Sequence, residues 1–207
     1  MIFSQLLLNP GSHQVQKELA NPYELHRTLL NGFAGNTQSI GRVLYRLEIR
    51  DREPYLEVLV QSVVRPDWSA LANKGYLLCP AQVKEVSPVF SAGQQFQFKL
   101  HANPTKKQKQ PDASGKRIFL TGEKQQLAWL ERKSIQHGFQ IMAVQAQTVP
   151  SRRLQKRTEK DTFLIQLGGV NYEGVLTVQN ASLFTSAWSN GIGSAKGFGF
   201  GMLSLKR

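Results

Sequence analysis

Val43, Tyr45, Leu47 and Ile49 hold alternate positions against Leu44, Arg46 and Glu48, the period of two that marks a half-buried strand. Asp51-Arg52-Glu53-Pro54 is turn chemistry, and a partner strand follows with Leu56, Val58 and Val60 facing in. Ile2 to Leu8 reads as an earlier strand, followed by a polar connection through Ala20. Then the period changes. Leu25, Leu29 and Phe33 stand at i, i+4 and i+8, one apolar stripe of a helix. Asn21 signals its start, because its side-chain oxygen can accept an orphan N–H, and Pro22 loses nothing at the first helical position. Pro66-Asp67-Trp68 predicts a short helix capped by Asp67, and Tyr76 to Val86 supplies a last strand. Strand, helix, strand, strand, weak helix, strand is the order of a ferredoxin-like unit.

Ser87-Pro88 to Ala92-Gly93 has the composition of a linker, and after it the order begins again. Phe96, Phe98 and Leu100 alternate with Gln95, Gln97 and Lys99, and Glu123 to Gln136 reads as a helix packing through Leu127, Trp129, Leu130 and Ile135. Ile141 to Val149 and Phe163 to Val178 are strand-rich, Ala181 to Asn190 is a short helix, and Phe198 to Leu205 closes the sheet. The expected class is α+β, two tandem ferredoxin-like (βαββαβ, RRM-like) domains over residues 1–87 and 93–207. What repeats is the order of elements, since the halves share no evident sequence.

Charge then separates the halves. Residues 1–90 carry nine Lys and Arg against eight Asp and Glu, whereas residues 91–207 carry 17 against 6. An excess of that size in a domain-sized segment is an electrostatic footprint for a polyanion. Asn103 to Arg117 reads as a basic loop with Lys106, Lys107, Lys109, Lys116 and Arg117, and Ser151 to Lys160 adds Arg152, Arg153, Lys156, Arg157 and Lys160. Charges gathered in loops, not along one amphipathic helix, favour nucleic acid over a membrane surface. The longest apolar runs fall far short of the roughly 20 residues needed to cross a bilayer, and Met1-Ile2-Phe3 does not open a signal peptide. With Cys79 alone there is no intrachain disulfide and no multi-Cys zinc site, so the expectation is a soluble, cytoplasmic protein.

Candidate chemistry concentrates at the start of the first helix. Tyr23 and His26 lie three residues apart and project from the same first turn. A phenol and an imidazole at the positive end of a helix suit a phosphate ester. His26 also falls near the Leu29–Phe33 arc, so spacing alone equally allows a half-buried structural histidine. At the other end of the chain stands Gly191-Ile192-Gly193-Ser194-Ala195-Lys196-Gly197-Phe198-Gly199-Phe200-Gly201. A dinucleotide fingerprint would need a strand before it and a long helix after it, and here the sequence ends at Arg207. A phosphate or RNA backbone against exposed N–H groups, helped by Lys196, is the better reading for Gly191, Gly193, Gly197 and Gly199. No close carboxylate pair or His cluster with metal spacing supports a two-metal nuclease.

Asn21-Pro22-Tyr23-Glu24-Leu25-His26-Arg27 after an N-terminal strand, the Pro66-Asp67-Trp68 element and the glycine-rich C-terminus, in that order, closely resemble the CasE family. These are the CRISPR RNA-processing endoribonucleases of Cascade (type I-E) systems, and the family has the tandem fold read above. The resemblance implies a metal-independent, cofactor-free endoribonuclease that cuts the CRISPR repeat at the base of a stem-loop and works with the other Cascade subunits. It implies that His26 and Tyr23 are the catalytic pair, that the 2′-OH beside the scissile phosphate is the nucleophile, and that DNA is not cut. In one place the chain departs from the pattern. Some members place a Lys one turn after the His, where this sequence has Asn31, so transition-state charge would fall to Arg27 or to a basic group of the second domain. The competing expectations are a non-catalytic RNA-hairpin-binding subunit of the same fold and, on charge alone, a general RNA chaperone.

Overall fold

The computed structural model describes residues 1–34, 40–49, 53–72, 75–107, 117–157 and 162–207, with backbone only for 151–157 and 162–166. It divides into two compact units, Met1–Pro88 with Lys196–Gly199, and Val89–Ala195 with Phe200–Arg207. Each is built on a four-stranded antiparallel sheet.

In the first unit β1 (Ile2–Leu8) leads through α1 (His13–Ala20) and α2 (Pro22–Asn31) to β2 (Leu44–Ile49), β3 (Leu56–Ser62), α3 (Ser69–Ala72) and β4 (Gln82–Glu85). The sheet order is β2-β3-β1-β4, the ferredoxin-like arrangement, with Leu6 opposite Val58 and Tyr45 opposite Val60. Alternate burial along β1 turns Ile2, Ser4, Leu6 and Leu8 inward, where Leu6 and Leu8 share a core with Val15, Leu25, Leu29, Phe33 and Trp68. Two elements differ from the sequence reading. The polar connection after β1 is the two-turn helix α1, whose inward positions are Val15 and the polar Glu18. The last strand is confined to Gln82–Glu85, with Leu77 bridged to Leu8 on its own.

The second unit runs β5 (Gln95–Ala102), β6 (Thr105–Lys107), β7 (Arg117–Phe119), α4 (Glu123–Gln136), β8 (Phe139–Arg157), β9 (Thr162–Val178), α5 (Ala181–Asn190) and β10 (Leu203–Lys206). Its sheet order, β10-β5-β9-β8, repeats the first. The closing strand starts at Leu203, because Lys196–Phe198 forms a turn of 3-10 helix instead. On α4 the inward face is Gln126, Trp129, Leu130 and Ser134, and Ile135 points to solvent, 70% exposed, rather than packing. Gln126 explains how a polar residue comes to lie there: its amide donates to the Leu120 carbonyl at 2.9 Å and accepts from the Thr148 hydroxyl at 3.0 Å.

Strand pairing reaches into both basic segments, where loops are expected. Lys106 and Lys107 on β6 pair with Ile118 and Arg117 on β7, a two-stranded ribbon inserted between the first strand and the helix of the unit. β8 continues through the basic run to Arg157, paired with β9 down to Thr162. On the N-terminal side of Val170 the strand β9 no longer pairs with β5, so residues 149–157 and 162–169 form a two-stranded arm. β6 and β7 bury no residue fully, so they carry no alternation of apolar and polar residues for the sequence to announce.

Candidate active site

Asn21 stands in an extended conformation before α2, and its Oδ1 accepts the Tyr23 N–H at 3.3 Å, one of the donors a helix start leaves over. Leu25 and Leu29 anchor the helix in the core of the first unit. That fixes the remaining positions of the first turn, and Tyr23 and His26 come to lie half-buried at its surface.

Lys196–Gly199 packs on this turn. A Cβ added to Gly197 would fall 3.2 Å from His26 Nε2 and 3.3 Å from its Cδ2, so the bare Gly197 backbone lies along the Nε2 edge of the imidazole. At Gly199, with φ +84°, a Cβ would meet the Tyr45 ring at 3.1 Å. A side chain at either position would force the ring or the segment to give by a few tenths of an ångström, and at Gly199 it would also be strained. Phe198 turns its ring towards Tyr23, with centroids 6.1 Å apart. Glycines of this segment thus meet aromatic rings of the chain itself.

Tyr45 of β2 stacks on His26, with centroids 6.0 Å apart and planes within 16°. Its hydroxyl donates to the Pro22 carbonyl at 3.0 Å and approaches the Gly197 carbonyl at 3.5 Å. Burial, reinforced by the Arg42 guanidinium, lowers the pKa of His26 below the ordinary 6.5. Its Nδ1 is buried without a hydrogen-bond partner among the described residues. At neutral pH the ring is therefore uncharged, and proton exchange falls to Nε2. Tyr45, Arg42 and Phe198 carry no sequence signal for this role: Tyr45 reads as an ordinary inward strand residue, and the other two gain meaning only from the fold.

The remaining site candidates are distributed as follows. Arg27 is exposed and donates to Glu24 at 3.2 Å; with Lys17, Glu18, Thr28 and Asn31 the pair borders a cleft between α1 and α2. Lys196 begins the segment packed on α2, whereas Gly191 (φ +74°) caps α5, and Gly193 (φ +88°) lies over the Trp129 ring, both in the second unit. Lys106, Lys107 and Arg117 are exposed on the β6–β7 ribbon. Arg152, Arg153, Lys156 and Arg157 follow one another on the β8 side of the arm. Lys109, Lys116 and Lys160 lie outside the described residues. Among the described residues no three His, Cys, Asp or Glu side chains are grouped to hold a metal ion, and no helix is long and apolar enough to cross a membrane.

Comparison with known proteins bears on the same site. A family model described as CRISPR associated protein matches residues 1–207. The chain is 36% identical to the CRISPR-associated endoribonuclease Cse3 of Thermus thermophilus, over 99% of each chain. It is 30% identical to the Cascade subunit CasE of Escherichia coli, over 88% of this chain and 90% of that one. A solved structure of Thermus thermophilus Cse3 bound to an RNA representing a pre-cleavage complex superposes with a TM-score of 0.83 at 34% identity, covering 100% of this chain and 98% of the other. Fold, full-length coverage and sequence agree, and the chain belongs to the CRISPR-associated endoribonuclease family of Cse3 and CasE.

Proposed function

We propose that this chain is the metal-independent endoribonuclease that binds the stem-loop of a CRISPR repeat, cuts precursor CRISPR RNA at its base, and keeps the guide RNA within a Cascade interference complex in the cytoplasm. The activity is that of its relatives; the observation that supports it here is the uncharged His26 imidazole, its Nε2 edge lined by the bare Gly197 backbone beside Tyr23. His26 takes the proton of the 2′-OH that precedes the cut. O2′ attacks phosphorus, the P–O5′ bond breaks, and the leaving 5′-oxygen receives the proton back from the His26 imidazolium, with Tyr23 as the hydrogen-bonding partner of the reacting oxygens. The products are a 2′,3′-cyclic phosphate, which can open to a 3′-phosphate, and a 5′-OH end. A phosphate held at Tyr23 and His26 would sit at the positive end of α2, which favours the developing charge.

The test is cleavage of a repeat transcript in the presence of chelator. Wild type cuts; His26→Ala lowers the single-turnover rate by about 10²- to 10⁴-fold, the usual range for a lost acid–base group, with hairpin affinity held. A 2′-deoxy nucleotide before the cut is bound and left whole. Parallel loss of binding and cleavage in His26→Ala would make the histidine structural. A wild type that binds without cutting would leave a hairpin-binding subunit.

A further inference from the structure

Tyr45 is 1% exposed in the core of the first unit, where packing alone would be served as well by phenylalanine. A hydroxyl in such a place is costly unless it is bonded. This one is bonded at a telling point. Its acceptor, the Pro22 carbonyl, is also the helical acceptor for the backbone N–H of His26 four residues on. A phenol has a single hydrogen, so the 3.0 Å bond to Pro22 is the main one and Gly197, at 3.5 Å, takes the lesser share. One side chain therefore touches the imidazole face, the first turn of the helix that carries it, and the segment along its Nε2 edge.

We propose that Tyr45 is a positioning residue of the cleavage site: its ring fixes the plane of the His26 imidazole, and its hydroxyl joins the first turn of α2 to Gly197, so that Nε2 and Lys196–Gly199 keep one relative position. The inference rests on His26 as the proton-transfer group proposed above. Tyr45 takes no part in proton transfer itself, since burial raises its pKa far above the working range and keeps the phenol protonated. Gly199 belongs to the same device, because its φ of +84° favours glycine and a Cβ there would crowd the Tyr45 ring at 3.1 Å.

The experiment compares Tyr45→Phe and Tyr45→Leu in the full chain. It measures single-turnover cleavage at saturating protein, affinity for an uncleavable 2′-deoxy hairpin, and the His26 ring proton resonances. Tyr45→Phe keeps the stack and loses the hydroxyl bond, so the rate should fall about 2- to 10-fold, the worth of one neutral hydrogen bond. Tyr45→Leu loses both, and the rate should fall about 10²-fold, as for an ångström-scale misplacement of a catalytic group. Affinity should hold in both variants. The His26 resonances should shift markedly in Tyr45→Leu and little in Tyr45→Phe. Wild-type rates in both variants, affinity falling in step with rate, or unmoved His26 resonances in Tyr45→Leu would each overturn the proposal. Should Tyr45→Leu fail to fold, the Tyr45→Phe rate and affinity decide. A wild type that does not cut defeats the nuclease reading instead, and the His26 resonances alone then decide whether Tyr45 positions the ring.

Discussion

His26 is described by the company it keeps: an aromatic face, a glycine edge and a nearby guanidinium, with no carboxylate facing it among the described residues. A carboxylate partner would hold the imidazolium and raise its pKa, whereas burial and Arg42 act the other way. The sign has a consequence for pH. A base must be uncharged to work, and a lowered pKa keeps it uncharged to lower pH. The second-order rate of cleavage, which reports the free protein, should thus have the midpoint of its acid limb below pH 6.5. A direct titration of the His26 ring by NMR should give the same limb. Arg42→Gln removes a positive neighbour and should move both curves upward together. An acid limb above pH 6.5 would defeat the assignment of His26 as a neutral base. At this scale the sequence shows the groups without their partners. Tyr23 and His26 are legible together because a helix repeats every three to four residues. Tyr45 and Gly197 stand 19 and 171 residues from His26 along the chain, and no local pattern encodes their meeting with it.

Elements were legible in proportion to their own periodicity. α4 and α5 each carry a stripe or a cap, and their bounds could be read directly; of α2 only the start could, since the helix stops at Asn31, short of the Phe33 that continues its stripe. α1 could not, because half of its buried face is a carboxylate. Glu18, 5% exposed, accepts from the Thr28 hydroxyl at 2.7 Å, from the Gln14 amide at 2.9 Å and from the Tyr76 hydroxyl. Burial and that bond to Glu18 raise the Tyr76 pKa, so its hydroxyl stays a donor. A buried carboxylate with three donors is satisfied, and it ties α1 to the middle of α2. Glu18→Ala would strand the Tyr76 and Thr28 hydroxyls, at about 1–3 kcal/mol for each donor left without an acceptor. We expect urea unfolding to show a total destabilisation of about 2–6 kcal/mol at constant m-value, and Gln14→Ala to cost under about 0.5 kcal/mol. A Glu18→Ala protein as stable as wild type would show that α2 is held by Leu25 and Leu29 alone.

At the scale of the whole molecule, the doubled fold was legible from the order of elements, and so was the partition of charge. The return of Lys196–Gly199 to the first unit was not, since glycines that meet a ring and glycines that meet a phosphate look alike in a sequence. The partition of charge implies a division of labour. The site around His26 lies in a unit whose sequence is nearly neutral, and the excess of Lys and Arg lies in the other. A-form RNA offers side chains little to read in its deep major groove, so a stem is held mainly by its phosphates and its shape. The β6–β7 ribbon presents Lys106, Lys107 and Arg117 to solvent on paired strands, Lys107 directly opposite Arg117, a rigid spacing of charge that a loop would not keep. Replacing these three by alanine should weaken binding of the repeat hairpin. Each phosphate that goes unneutralised should flatten the slope of log affinity against log salt by roughly 0.7–0.9, so the triple variant should give up about two to three units of slope. Once protein is saturating, the single-turnover rate should stay within about twofold of wild type, because counterion release contributes to binding and not to proton transfer. Salt titrations of binding and saturating cleavage time courses on the same variant separate the two. If the rate collapses while affinity and salt slope hold, the ribbon acts in the chemical step and the division between the units is wrong.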